Sequence, residues 1–497
     1  MKIFKRWFIL NIVFIIFIIP LKMVCAYEKS STKEERIYTI NDDYVYSLSK
    51  DGIEIIDIND YEDMNFVCRL KGYNMENNNL YIYNDRLFIS GIESYEDKSY
   101  IKTVVYDIYD KKNPIKLKEF KFEGYEYLFI KNDGIVYLVI QESDSKGRII
   151  SIDSSKEDID LNVDYFEGGE ISFIYSSDDN LYVICNEDMI GRYFTTIHKF
   201  DISEDIKYVN KISFDGIIYN DKFIHEYDGN LRVLVKCENF KNKIYILDKD
   251  FRDAKCVDVI LENENINNVY FDKEMCYISG FLKEGYFSIY NLKHSNPKEM
   301  GRIKLTSSSD YIYKLSEDKF IVVGNEHRTD TYKNMQSDKV FEVVKNTGIK
   351  INLIDVLDKN NPKIFDEYFI KGKEVCLSEF LDEEKMLFSK DKNILAFTLD
   401  ISGYTMDMDI NTAMEVNSDF NCEGLSRGVY VFDLHDKDKI FLKFMVECGD
   451  ELFENKNVEG IKIYNEDIFI FLDNCFKVFN LEGKLLGEYT FIKKETK

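Results

Sequence analysis

Four oxygen-bearing side chains, Asp407, Asp409, Asn411 and Glu415, form the run D-x-D-x-N-x-x-x-E. Carboxylate and amide oxygens spaced in this way can converge on Ca²⁺, which takes about six to eight oxygen ligands. The calcium loop of an EF-hand has glycine after its third ligand, where this chain has Thr412, so the run suits a solvated acidic loop better than an EF-hand. A second group, Glu326, His327 and Asp330, joins two carboxylates to an imidazole and offers polar or metal contacts to a ligand. The other histidines, His198, His225, His294 and His435, stand singly, without a second His at metal-ligand spacing. No G-x-S-x-G, H-E-x-x-H or phosphate-cradling glycine loop occurs. A carboxylate pair for glycoside hydrolysis cannot be singled out among 90 Asp and Glu residues. These residues therefore predict binding, with Ca²⁺ as the one inorganic group they suggest and no other cofactor.

Both groups lie in the two longest intervals of a repeat. An apolar or aromatic strand ending in Asp or Asn recurs at Asp57, Asp107, Asp153, Asp201, Asp248, Asn291, Asp355, Asp433 and Asn480. The period is roughly 50 residues, within the range of β-propeller blades. Each unit holds four short β-rich runs; in the sixth they span about residues 267–271, 275–280, 286–292 and 300–305. No run reaches helical length with a sustained 3.6-residue period. Asn113-Pro114, Asn296-Pro297 and Asn361-Pro362 follow the third run of their units. Proline cannot donate to a ladder, so each such pair ends a strand and sets the turn into the fourth.

A lone four-stranded unit cannot bury both its faces, whereas a ring of such units can. The fold class expected is thus all-β, a β-propeller of eight or nine four-stranded blades, nine by direct count of the repeats. The first and last units resemble each other and should meet at ring closure. The long intervals fall between the second and third strands of the seventh and eighth units, as predicted loops over 325–348 and 402–428. Long connections on a rigid scaffold are where recognition concentrates.

Several segments in order, among them NNLYIYNDRLFISG, TVVYDIYDKKNPIKLKEFKFEGYEY, FIHEYDGNLRVLV, GIKINLIDVLDKNNPKIFDEYFIKG and KNILAFTLD, resemble the bacterial secreted β-propeller domain family, distant relatives of WD40 repeats. The resemblance covers roughly residues 36–435. It implies the propeller fold and export, and it transfers no catalytic residue. The chain has no WD dipeptide.

Residues 1–26 read as a signal peptide: Lys2, Lys5 and Arg6 precede an apolar stretch from Trp7 to Pro20, and Val24-Cys25-Ala26 sets a cleavage site before Tyr27. The expected arrangement is a leader over 1–26 and a single propeller domain over 27–497. The expected location is secreted or extracellular, with cell-surface association open. A net charge of −25 disfavours nucleic acid and anionic membranes as partners. The scattered cysteines lack a C-x-x-C and suit buried thiols. With Trp7 as its only tryptophan, the chain would have to stack sugars on Tyr or Phe. The function expected is a non-enzymatic extracellular binding or interaction module for a protein or glycan. The alternative is a secreted hydrolase or lyase with acidic residues in the propeller channel.

Overall fold

A computed structural model describes residues 36–491, apart from 50–51, 72–74, 96–97, 133, 154–158, 190–191, 238–241, 260–265, 282–284, 294–297, 334–339, 372–374, 378–382, 402–427, 437 and 449–457. Ile37–Lys497 is one compact unit, and of the preceding unit, Met1–Arg36, only Arg36 is described. The expected leader lies outside the described residues. Strands form nine antiparallel sheets, eight of four strands and one of five, each from one contiguous piece of chain. Numbered as blades in chain order, the first runs from Ile37 to Lys71, the third from Glu126 to Glu167, the fourth from Ile171 to Asp215, and the fifth from Ile224 to Val259. The sixth spans Ile266 to Leu305, the seventh Tyr311 to Lys371, the eighth Val375 to Glu447, and the ninth Val458 to Thr490. In the sixth, the strands Ile266–Asp272, Met275–Phe281, Gly285–Asn291 and Lys298–Leu305 match expectation to within two residues. The extra strand arises in the eighth blade, where Val375–Leu377 and Met386–Ser389 share the first-strand position by pairing with opposite ends of Ile394–Ile401.

The turns follow from residue type. In several blades a two-residue hairpin joins the first and second strands, with left-handed backbone at Asp42 (φ 47°), Asn84 (50°), Asp228 (52°) and Asn465 (55°). Short polar side chains tolerate that region, and such turns match the twist of the strands they join. The Asp/Asn signature closes the third strand. The side chains of Asp57, Asp107, Asp201, Asn291, Asp355, Asp433 and Asn480 each accept the backbone N–H two residues ahead, at 2.8–3.1 Å. This is the Asx-turn geometry these residue types favour. The apolar residue in between folds inward. Ile58, Ile108, Ile202, Leu292, Val356 and Leu434 are buried, and their N–H groups donate to Asp43, Asp85, Asp179, Glu274, Asp318 and Asn393 in the first hairpin turn of the same blade. One signature thus pins both turns at one end of a blade. A β-bulge then offsets the fourth strand from the third in seven of the blades.

The second and third strands are buried almost throughout, as in Ile135–Ser143 and Gly428–Asp433, while fourth strands such as Ile115–Glu123 are largely exposed. Strands covered on both faces read as near-continuous apolar runs, which is how VYLVI and IFIFL appear in the chain. Hydrophobic clusters fill all nine junctions between neighbouring blades, including that between the ninth and the first. Of the described cysteines, Cys185, Cys276, Cys448 and Cys475 are buried, as expected, whereas Cys68 and Cys237 are half-buried and Cys256 is exposed.

Among the described residues no strand is exchanged where the ring closes. Tyr38 of the first blade stacks on Phe471 of the ninth at 4.2 Å, and its hydroxyl donates to Glu459 at 2.5 Å. The Tyr464 hydroxyl accepts the Asp43 N–H at 3.0 Å, and the Lys462 ammonium donates to the Tyr38 carbonyl. Gly487, on the outermost strand of the ninth blade, lies so close to the Tyr61 carbonyl of the first that a Cβ would collide with it.

Two substitutions test these contacts. Asp355→Ala should lower stability in urea by about 1 kcal/mol, because the Leu357 N–H loses its acceptor. Gly487→Val should cost about 1–3 kcal/mol by overpacking the seam. An unchanged urea midpoint for Gly487→Val would mean that the ring does not close at this contact.

Candidate functional site

In radial antiparallel sheets, the turns between second and third strands and the connections from one blade to the next share one face. The other turns share the opposite face. The expected binding residues lie on the first of these. The segment 325–348 is not a loop: Lys319–Lys333 and Val340–Asp355 are continuous strands, paired from Lys319↔Asp355 to Lys333↔Val340 with one register shift at Glu326/His327. The seventh blade therefore carries a β-hairpin extending about seven residue pairs beyond that shift, roughly 20 Å at strand rise. Residues 402–427 occupy the same connection of the eighth blade, since Leu399 pairs with Gly428. Asp407, Asp409, Asn411 and Glu415 fall there, outside the described residues.

At the hairpin base the Glu326 carboxylate accepts the Thr306 hydroxyl at 2.8 Å, with the Lys350 ammonium 3.9 Å away. Lys350 also donates to Thr306 and pairs with Glu367, both at 2.9 Å. The His327 imidazole packs on Phe281 of the sixth blade at 4.6 Å. Burial lowers its pKa, and the nearby Asp310 and Glu326 carboxylates push the other way. Asp330 stands further up the hairpin, opposite Val343. Glu326 and His327 are thus brought to one junction, with Asp330 three positions away along the strand.

Sequence reasoning missed the centre of this junction. Asp310 accepts the Ser308 hydroxyl at 2.7 Å, the Asn267 amide at 3.2 Å, and the backbone and side-chain N–H groups of Asn325 at 3.4 and 3.3 Å. Ser308 in turn accepts the Asn325 N–H at 2.9 Å. Burial pushes the Asp310 carboxyl up, and these donors oppose the shift. Because the Ser308 proton is directed at a carboxylate, the trio lacks the Ser-to-His order of a hydroxyl activated for attack. What it does is clamp the hairpin root to the connection from the sixth blade. The available signal was the polar run from Thr306 to Asp310, TSSSD, directly before a strand.

A second feature on this face is a cleft of about 700 Å³ between the third and fourth blades, lined by residues 144–146, 167–170 and 186–188. Asp144, Glu167, Glu170, Glu187 and Asp188 make its walls acidic. Burial, and then Glu170, push up the carboxyl of Glu126 beside it. Gly168 has no Cβ, which leaves room for the His198 ring directly beneath the cleft floor.

Nine radial sheets closed in this way define a β-propeller, here of nine four-stranded blades. The chain belongs to the Beta propeller domain family, whose model matches residues 31–159 and 143–482. Among curated proteins it is similar to an uncharacterized protein of Archaeoglobus fulgidus, with 25% identity over 178 residues, covering 36% of this chain and 25% of that one. It is also similar to one of Methanocaldococcus jannaschii, with 28% identity over 182 residues, covering 35% and 26%. The chain spans about a quarter of the length of these curated relatives. Among solved structures, a dihydro-heme d1 dehydrogenase, NirN, in complex with DHE has a TM-score of 0.45 at 10% identity, covering 79% of this chain and 71% of that one. BamB from Moraxella catarrhalis has a TM-score of 0.31 at 10% identity, covering 62% and 81%.

Asp310→Ala strips the shared acceptor from Ser308, Asn267 and Asn325. It should lower stability by about 1–3 kcal/mol in urea titration and increase amide exchange at the hairpin base. A variant as stable and as protected as the parent would remove Asp310 from this role.

Proposed function

We propose that this propeller is a non-enzymatic extracellular binding module that takes a protein or glycan partner on the face bearing the long hairpin. The observation that carries the reading is the hairpin itself, paired beyond the blade body from His327↔Asn346 to Lys333↔Val340. A paired hairpin loses less conformational entropy on binding than a free loop of equal length, because its backbone is already ordered. The clamp formed by Ser308, Asp310 and Asn325 holds its root to the scaffold. Partners repelled by a net charge of −25, nucleic acid and anionic membranes, fit the reading poorly. The signal-like residues 1–26 support the extracellular location.

The acidic cleft favours the second reading, a secreted hydrolase or lyase. There burial, and then the neighbouring Glu170, raise the carboxyl of Glu126, the direction that suits a general acid.

Replacing residues 327–346 by a two-residue turn tests the first reading. The inner pairs from Lys319↔Asp355 to Glu326↔Gly348 remain, so circular dichroism and the urea midpoint should stay close to the parent. Binding to a panel of cell-surface glycans, and to proteins identified by mass spectrometry from culture medium, should be lost. If the shortened protein keeps every partner of the full chain, the hairpin is not the binding element.

A further inference from the structure

The junction between the third and fourth blades holds a histidine in an environment the other described histidines do not share. His198 lies in the third strand of the fourth blade, Arg192–Asp201, and is fully buried. Neither ring nitrogen has a hydrogen-bond partner. Its ring packs on Phe166 of the third blade at 5.0 Å and on Tyr208 of its own blade at 6.1 Å, with Gly168 over Nε2.

The groups packed against its ring carry no negative charge, and the cleft carboxylates Glu167, Glu170 and Glu187 make no hydrogen bond to either ring nitrogen. From the third blade come the Phe166 ring and the Gly168 backbone. The fourth strand of its own blade brings Lys211, a like charge for an imidazolium, and Tyr208. On the second strand, burial pushes the Cys185 thiol up to about 12, so it stays neutral. Glu187 of that strand packs against Gly169 and adds to the upward shift of the Cys185 thiol. Burial, then Lys211, hold His198 at a pKa of about 4 against an ordinary 6.5. His225 and His327 differ, because Asp272 and Glu226 face the first and Asp310 and Glu326 the second.

We propose that the third-to-fourth blade junction is a pH-sensitive latch, closed at neutral pH and opened more often as pH falls, because His198 takes up a proton in the opened state. The direction follows from linkage. With the folded pKa depressed, the opened junction binds the proton more tightly, so closure is fully favoured above about pH 6.5 and weakens as pH falls toward 4. With these two values the opening equilibrium rises about 30-fold by pH 5. Release would dismantle the acidic cleft, whose floor is the Gly168 connection over His198.

Amide hydrogen exchange of the full chain at pH 7.5, 6 and 5, corrected for intrinsic rates, reads this out. Protection in Asp160–Glu167 and Arg192–Asp201 should fall by about 30-fold from pH 7.5 to 5, while Ile394–Ile401 in the eighth blade stays protected. In His198→Leu the acid-dependent loss at this junction should disappear. Uniform loosening of all blades, or an unchanged acid response in the leucine variant, would overturn the latch. Should that variant fail to fold, imidazole NMR on the unaltered protein decides: His198 must stay neutral at pH 5.5, and titration near 6.5 in the folded state ends the proposal.

Discussion

Every blade buries its two central strands on both faces, and this constraint organises the rest of the structure. Val136, Leu138, Val139 and Ile140 of one second strand are all fully buried, and they alternate between the two neighbouring blades. Burying such a side chain contributes about 1.5–3 kcal/mol, as an upper estimate from surface area. A terminal blade with one bare face would forfeit several of these at once, on the order of 10 kcal/mol. That is comparable to the whole stability of a typical folded protein, about 5–15 kcal/mol. Closure between the ninth and first blades is therefore a condition of folding. Among the described residues no strand is shared there, so side chains supply the closure, and the Tyr38, Phe471, Phe476 and Phe491 aromatic group provides the apolar area.

Carboxylates dominate the polar half of the design, mostly as architecture. The repeated aspartates close turns, a role that needs only an acceptor with a short arm, so Asn substitutes at positions 291 and 480. Glu226 shows a half-buried version. It accepts the Ser177 hydroxyl at 2.5 Å, the Asn180 amide at 3.0 Å and the Tyr182 phenol at 2.8 Å, all from the fourth blade. Burial, and then Glu226, push the Tyr182 phenol up, which keeps its proton available for donation. Neutral donors thus replace water around the charge without a second buried ion and the desolvation it would cost. An acidic count alone is consequently a poor guide to chemistry in this chain.

The fold was legible because its signals are local. Asx turns, left-handed hairpin residues and continuous apolar second strands lie within one blade, so their spacing survives in the linear sequence. The hairpin was not legible as strand, because NEHRTDTYK shows no apolar alternation. That pattern arises only where one face is buried against something else, and this segment extends past its own blade. The Asp310 cluster escaped for a different reason: Asn267 precedes it by 43 residues, in the neighbouring blade. His198 could be placed in a strand, yet its lack of partners depends on Phe166, Gly168 and Tyr208 coming from three separate strands or connections.

These properties divide the molecule by distance from the turns. Lengthening the connection between second and third strands leaves the inner register intact, since Gly348 still pairs with both Glu326 and Lys371 at the blade edge. The hairpin face can vary at little cost to the core. A polar group in the middle of a third strand is different. His198 belongs to the buried layer that both neighbours need, so a change in its charge acts on a junction before it acts on any surface. The cleft above it inherits that sensitivity through the Gly168 backbone, while the hairpin, rooted three blades away, does not.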